Sequence, residues 1–177
     1  RWGVGLDAVN IEAATENEKI KLDIFRQLDE ITGDGAILAS NTSSLSLTKI
    51  AGAAGRPEKV LGMHFFNPVP VMRLLELVQG LETGAETLAA ARQVGEKMGK
   101  TVIVALDFPG FIVNRILLPM LNEAFYVLQE GIGAPADIDA GMKLGCNHPM
   151  GPLELADLVG LDTLLSAMTV LYEGFGD

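Results

Sequence analysis

Two polar side chains stand within otherwise apolar runs of this sequence, and their types and spacing suit proton transfer. His64 lies in the run 60–66 (V-L-G-M-H-F-F), and Glu76 lies in the run 74–78 (L-L-E-L-V). Both runs have the length and composition of buried strands, and the loop 67–70 (N-P-V-P) cannot continue a strand. If the runs pair antiparallel around this loop, the two residues lie opposite each other with Cβ atoms about 4.5–5.5 Å apart.

Opposed in this way, the two side chains can form a general base. A carboxylate on one ring nitrogen sets the imidazole tautomer, favours the imidazolium and leaves the other nitrogen free to take a proton. Glu76 also needs a partner, because a charged carboxylate is costly to bury, and His64 is the titratable candidate on the neighbouring run. A structural histidine held by an ion pair is the alternative for a lone His–Glu pair. Other features of the sequence must decide.

Strand and helix patterns alternate before residue 110 and give way to helices after it. Apolar strand patterns occur at 9–14, 36–39, 60–66, 74–78 and 101–106. Helical patterns occur at 18–31, in a short segment ending near Gly52, and at 85–98 before Gly99; those after Gly110 are at 111–130, 135–144, 152–159 and 162–173. Alternating strands and helices predict a parallel sheet. We therefore expect an α/β domain over residues 1–109 and an all-α domain over residues 110–177.

Polar residues follow three successive strands at one edge of the expected sheet. Glu16 follows the first strand, Ser43 follows the second, and His64 with Asn67 ends the third. Ligands of open α/β sheets bind outside the carboxyl ends of the parallel strands, and Asn114, in the first turn of the long helix, is placed to face the same crevice. Each residue also has a structural alternative as a helix cap, a turn residue or an interhelical hydrogen bond. Their convergence favours a functional site.

Composition and charge exclude several classes of protein. Thirteen basic and 23 acidic residues give a formal net charge of -10, which is the wrong sign for a general nucleic-acid or anionic-membrane binder. The single cysteine, Cys146, excludes an internal disulfide and a cysteine-based zinc site, and we interpret it as a packing residue in a cytoplasmic protein. The apolar stretch 111–128 is interrupted by polar residues, so we expect a core helix and no membrane span. No signal peptide is expected.

Two further motifs are interpreted as unrelated to catalysis. Residues 3–8 (G-V-G-L-D-A) match G-x-G-x-x-A, but the dinucleotide fingerprint works only between a strand and the start of a helix. Two residues precede this match and a strand-like run follows it, so we interpret it as a chance match. His148 lies between Asn147 and Pro149 in a turn between helices, and we interpret it as structural.

Several short sequence motifs occur in a defined order along the chain. They are N-T-S-S at 41–44, G-M-H-F-F-N-P-V-P at 62–70, Glu76 twelve residues after His64, D-F-P-G-F-I-V-N-R at 107–115 and N-H-P-M-G-P at 147–152. This combination closely resembles the 3-hydroxyacyl-CoA dehydrogenases, and within that family the stand-alone bacterial 3-hydroxybutyryl-CoA type. The resemblance covers nearly the whole chain from about Ile11.

The resemblance implies a fold and a reaction. Residues 1–109 would be the C-terminal portion of an NAD-binding domain with a partial Rossmann-type, mostly parallel sheet. Residues 110–177 would be an incomplete helical domain that covers the acyl-CoA site and forms a homodimer. The reaction implied is the oxidation of the C3 hydroxyl of a short-chain 3-hydroxyacyl-CoA, such as 3-hydroxybutyryl-CoA, by NAD. By the resemblance, fatty acid metabolism, including β-oxidation, is where such a reaction is expected.

The resemblance also assigns residue roles. His64 would remove the proton of the C3 hydroxyl while hydride passes from C3 to the nicotinamide, and Glu76 would orient and charge it. Ser43 and Asn114 match positions that hold the substrate oxygen and the catalytic histidine in place. Positions that line the cofactor are matched by Glu16, Lys21, Ser43 and Asn67. No metal is implied.

The chain departs from the family at both ends. Family members begin with a strand, a G-x-G-x-x-G turn and an acidic residue that bind the pyrophosphate and the adenosine ribose, and they continue beyond Gly176 and Asp177. We therefore interpret the chain as an internal fragment that lacks the first βαβ portion. A non-catalytic assembly module of the same fold and a related hydroxyacid dehydrogenase remain as alternatives. The acyl chain length, the choice of NAD or NADP, the direction of flux and the pathway also remain open.

Overall fold

The structure is a computed structural model that describes residues 9–176. The chain divides into two compact units, Arg1–Phe111 and Ile112–Asp177. The glycine motif at 3–8 lies outside the described residues.

In its described part, the first unit contains one sheet of five strands in the order β1-β2-β3-β4-β5. The strands are β1 (Val9–Glu12), β2 (Ile37–Ser40), β3 (Val60–Phe65), β4 (Leu74–Gln79) and β5 (Thr101–Leu106). The first three strands are parallel, β4 is antiparallel to β3, and β5 is parallel to β4. The mostly parallel sheet predicted from the alternating pattern is therefore confirmed.

Helices cover both faces of this sheet. They are α1 (Glu18–Ile31), α2 (Leu47–Ala51) and α3 (Ala85–Lys97). Successive residues of a strand point to opposite faces, so Leu38 packs with Phe25 of α1 and Leu47 of α2, while Ile37 packs with Ala91 of α3. The strands read as nearly continuous apolar runs because both faces are buried.

Local side-chain chemistry sets the element ends in this unit. Asn17 accepts from the backbone N–H of Ile20 and begins α1. Gly99, with φ 76°, follows the end of α3 in the left-handed conformation that glycine adopts most readily. The first strand ends two residues earlier than predicted, at Glu12, where the Glu12 carboxylate accepts from the N–H of Ala14 and the chain turns.

The described part of the second unit contains four helices. They are α4 (Val113–Gln129), α5 (Pro135–Gly145), α6 (Pro152–Val159) and α7 (Leu161–Phe175). Four helices were predicted here, and they are confirmed with end shifts of one or two residues. The buried apolar cluster of this unit is formed by Leu118, Leu121, Ala156, Leu164 and Leu171.

Two expectations concern helices and turns of the second unit. Within residues 9–176 no single helix is long and apolar enough to cross a membrane, although α6 and α7, bent by 99° at their junction, pass that test together on length and composition alone. The interpretation of Cys146 as a packing residue is wrong, because its side chain is exposed after the end of α5. The turn following that helix faces solvent, which the local sequence did not reveal.

Candidate functional site

The hairpin of β3 and β4 brings His64 and Glu76 together. The two residues are direct partners in the antiparallel register, and Nδ1 of His64 lies 2.8 Å from Oε2 of Glu76. Glu76 is fully buried and His64 is 4% exposed. The predicted opposition of the two residues is confirmed, because both strands are in register around the loop that joins them.

Two aromatic rings surround the imidazole. The ring centroid of Phe66 lies 4.6 Å from that of His64, and the ring centroid of Phe111 lies 5.5 Å away with the two planes at 64°. Phe111 is buried and has φ 49°, a left-handed conformation that is uncommon for a bulky residue. The contact with Glu76 uses Nδ1, so Nε2 is the ring nitrogen on the side away from Glu76. Sequence reasoning missed both rings, although Phe66 directly follows the strand of His64.

The loop between β3 and β4 is tied down from outside. Lys100, just before β5, donates from Nζ to the carbonyl oxygens of Val69 and Met72, the latter at 2.7 Å. The amide N–H of Met72 also donates to the carbonyl of Pro68 at 3.0 Å. Asn67 lies in this loop with its side chain exposed, just beyond the carboxyl end of β3.

Glu16 organises the loop after β2. Its Oε1 accepts from the backbone N–H of Ser43 at 2.5 Å, and its Oε2 accepts from Oγ1 of Thr42 at 2.8 Å. The same Oγ1 accepts from the N–H of Leu45 at 2.9 Å. Ser46, and neither Ser43 nor Ser44, is the cap of α2. The hydroxyl of Ser43 is therefore not used for capping, and Thr42 is a loop-forming residue that sequence reasoning missed.

The carboxyl ends of β2 and β3 are also joined directly. Oδ1 of Asn41, which follows β2, accepts from the backbone N–H of Phe65 at the end of β3 at 2.9 Å. Together with the contacts of Glu16, this bond links the loops after β1, β2 and β3. The predicted convergence of Glu16, Ser43 and His64 on one edge of the sheet agrees with this geometry.

Lys21 lies beneath this edge in a buried ionic cluster. Its Nζ is 2.6 Å from Oε2 of Glu12 and 3.3 Å from Oγ of Ser40, and the residue is 1% exposed. Burial alone would raise the pKa of Glu12, but hydrogen bonds from Lys21, Ala14 and Ser40 and the charge of Lys21 outweigh it and hold the pKa below its ordinary value. The contact of Lys21 with a cofactor stays a prediction.

Asn114 lies at the second position of α4, in the second unit, and is half-buried. Its approach to His64 stays a prediction. His148 lies in the turn between α5 and α6, where its backbone N–H donates to the carbonyl of Met142 at 3.2 Å. Within residues 9–176 there is no group of three or more His, Cys, Asp and Glu side chains that could hold a metal ion.

The chain matches two known sequence families along nearly its whole length. Residues 3–108 match the family described as 3-hydroxyacyl-CoA dehydrogenase, NAD binding domain. Residues 110–177 match the family described as 3-hydroxyacyl-CoA dehydrogenase, C-terminal domain.

Named relatives and a solved structure agree with this match. The Bacillus subtilis protein named "Probable 3-hydroxybutyryl-CoA dehydrogenase" is 56% identical over 167 residues, which cover 94% of this chain and 58% of that protein. The 3-hydroxybutyryl-CoA dehydrogenase of Bradyrhizobium diazoefficiens is also 56% identical, over 94% of this chain and 57% of the relative. The crystal structure of (S)-3-hydroxybutyryl-CoA dehydrogenase from Ralstonia eutropha has a TM-score of 0.93 and 56% identity, over 96% of this chain and 60% of that one.

The chain thus spans less than two thirds of the length of these relatives. The match nevertheless includes both family domains and the strands and helices that carry the candidate site. By sequence and by fold, the chain belongs to the 3-hydroxyacyl-CoA dehydrogenase family.

Proposed function

We propose that the chain carries the catalytic centre of an oxidoreductase that converts a short-chain 3-hydroxyacyl-CoA, such as 3-hydroxybutyryl-CoA, to the 3-ketoacyl-CoA with NAD as the acceptor. The observation that carries this proposal is the buried pair of His64 and Glu76 at the carboxyl end of β3. The names of the Bacillus and Bradyrhizobium relatives support the same reaction.

In the proposed reaction His64 is the general base. Nε2 takes the proton of the C3 hydroxyl, and Nδ1 donates its hydrogen bond to Oε2 of Glu76. The carboxylate stabilises the positive charge that forms on the ring, and the rings of Phe66 and Phe111 limit the access of water to the pair. Low water content strengthens the electrostatic interaction between the two side chains.

The residues at the carboxyl ends of β1, β2 and β3 fit a nicotinamide nucleotide. Ligands of this kind bind at that edge of an open α/β sheet, and Glu16, Ser43 and Asn67 there are exposed or half-exposed. We propose that these three residues line the nucleotide, with the buried Lys21 behind them. When bound, NAD supplies the acceptor for the hydride that leaves C3.

Ser43 and Asn114 are proposed to position the reacting groups. The hydroxyl of Ser43 would bind the C3 oxygen, since its backbone is already fixed by Glu16. Asn114 would orient the imidazole. We also propose that the nucleotide-binding portion ends at residue 109 and the helical portion begins at residue 110. The division of the chain into compact units after Phe111 supports a boundary in this region.

We further propose that the protein acts as a cytoplasmic homodimer that associates through its helical portion. The second unit exposes many large apolar side chains, as expected for a protein–protein interface. Among them are Ile116, Leu144, Leu158, Leu161, Leu165 and Tyr172. Light scattering coupled to gel filtration should give twice the mass of the chain. A monomer at all concentrations would refute the dimer.

The experiment that tests the proposed function is NADH formation from 3-hydroxybutyryl-CoA. Replacing His64 by alanine should lower kcat by about 10²- to 10⁴-fold, the usual contribution of a general base, and leave NAD affinity unchanged. The matched control is His148→Ala, which removes the other histidine of the chain and should retain turnover. Equal turnover of the His64→Ala and His148→Ala variants would refute the assignment of His64 as the general base.

The same assay separates the alternatives. Oxidation of free 3-hydroxybutyrate at the rate of its CoA thioester would favour a related hydroxyacid dehydrogenase. A folded chain that forms no NADH and binds no NAD in calorimetry would favour an assembly module.

A further inference from the structure

The carboxylate of Glu12 joins three elements of the first unit. Its Oε1 accepts from the N–H of Ala14 at 2.6 Å, and its Oε2 accepts from Lys21 Nζ at 2.6 Å and from Ser40 Oγ at 2.9 Å. The side chain is 3% exposed. A buried carboxylate is tolerated only where donors replace its lost water, and all of these donors lie at the carboxyl ends of β1 and β2 or on α1. Glu12 has no place in the reaction described above.

Lys21 stands between this buried carboxylate and a second one. Its Nζ is 2.6 Å from Oε2 of Glu12 but 4.0 Å from Oε2 of Glu16, whose side chain is 47% exposed. The longer distance is beyond a hydrogen bond. Glu16 therefore keeps both of its oxygens for the N–H of Ser43 and the hydroxyl of Thr42.

Removing the charge of Glu12 would change which carboxylate Lys21 contacts. The ammonium of Lys21 would remain buried without a close counterion, a costly state. Glu16 is the next carboxylate within reach, so Lys21 would move the remaining distance and bind Oε2. Oε2 would then be shared between Lys21 and Thr42. As the carboxylate of Glu16 turns toward Lys21, its Oε1 would move away from the N–H of Ser43, and that hydrogen bond would lengthen.

We propose that Glu12 is a positioning residue, whose buried carboxylate retains Lys21 and so leaves Glu16 free to hold the loop that presents Ser43. The importance of this loop for catalysis rests on the proposed function, in which Ser43 binds the substrate oxygen. The contacts that hold the loop can be tested without that assumption.

The first test is amide hydrogen exchange by NMR in Glu12→Gln. The amides of Ser43 and Leu45 should lose protection about tenfold, the size expected for one weakened hydrogen bond to a charged group, while that of Met63 in the core of β3 changes by less than twofold. The matched control is Glu18→Gln, which removes the same charge from an exposed ion pair with Lys49 at 2.8 Å. It should leave the loop amides within twofold of the wild type.

A second variant keeps the proposal testable if Glu12→Gln does not fold. The double variant Glu12→Gln with Lys21→Met removes both charges of the buried pair and leaves no unpaired charge. Proteins tolerate the replacement of a complete buried ion pair well. Because no ammonium then competes for Glu16, the amides of Ser43 and Leu45 should return to within about threefold of wild-type protection. A folded double variant with a loose loop, or a folded Glu12→Gln with wild-type protection at both amides, would overturn the proposal.

Kinetics then test whether the effect passes through Ser43. Glu12→Gln should lower kcat/KM for 3-hydroxybutyryl-CoA by about tenfold in the wild type and by less than twofold in a Ser43→Ala background. The reason is that the effects of substitutions at two interacting residues do not add. Equal losses in both backgrounds would show that Glu12 does not act through Ser43 and overturn that part of the proposal. If the wild type formed no NADH, the proposed function would fail, and the exchange data would still decide the role of Glu12.

Discussion

Replacing Glu76 by glutamine tests the central pair most directly, because it removes a charge and keeps the shape. The atoms joined by the hydrogen bond are 2.8 Å apart and both side chains are buried. With charge centres about 4 Å apart and an effective dielectric constant near 20, the attraction between carboxylate and imidazolium is about 4 kcal/mol. A glutamine oxygen can still accept from Nδ1 and recovers about 1 kcal/mol. The net loss of about 3 kcal/mol corresponds to a decrease in kcat of roughly 100-fold.

The assay is NADH formation from 3-hydroxybutyryl-CoA at saturating substrate and NAD. Without the carboxylate, the positive charge that forms on the ring as it takes the proton loses its counterion, so kcat should fall by the factor given above. Glu82→Gln, which alters an exposed glutamate in the loop after β4, should leave kcat unchanged.

Two results would contradict this reasoning. A Glu76→Gln variant with kcat within threefold of the wild type would show that the carboxylate contributes little to the base. A decrease in kcat accompanied by a large loss of folding stability would show that Glu76 acts on packing and not on the charge of the ring. Urea unfolding of the variant measures that loss.

Two predictions concern stability, and both are checked by urea unfolding. Because the folded-state pKa of Glu12 lies below its ordinary value of 4.5, its contribution is complete above that pH and is lost as the pH falls through the lower, folded-state value. The wild type should therefore lose more stability between pH 5 and pH 3 than Glu12→Gln, and equal losses would contradict the prediction. Gly95→Ala should cost about 1–3 kcal/mol, since a Cβ there would lie 2.6 Å from Leu75 Cδ2 and 2.9 Å from Val102 Cγ2. Gly141→Ala, with no atom within 4 Å of the new Cβ, should instead stabilise by up to about 1 kcal/mol. A Gly95→Ala variant with an unchanged free energy of unfolding would show that the neighbouring side chains can move.

Some features of the site followed from periodicity alone. A strand has a side-chain period of two residues, so pairing around a short loop placed His64 opposite Glu76 whatever the rest of the fold. The helical stripe of α1 and the break before α4 likewise depend on residues close in the chain. Such local patterns determined the elements, the hairpin and the edge of the sheet at which polar residues converge.

Tertiary structure decided which polar groups are buried and what they contact. The sequence does not show that Lys21 is buried, but α1 packs so that its ammonium lies against Glu12 and Ser40. Phe111 contacts His64 from a position 47 residues further along the chain, with a backbone conformation that no local pattern predicts. Burial and pairing of this kind depend on contacts between segments distant in sequence. The sequence by itself therefore determined where the chemical groups stand on their elements, and packing alone decided which of them hold the others in place.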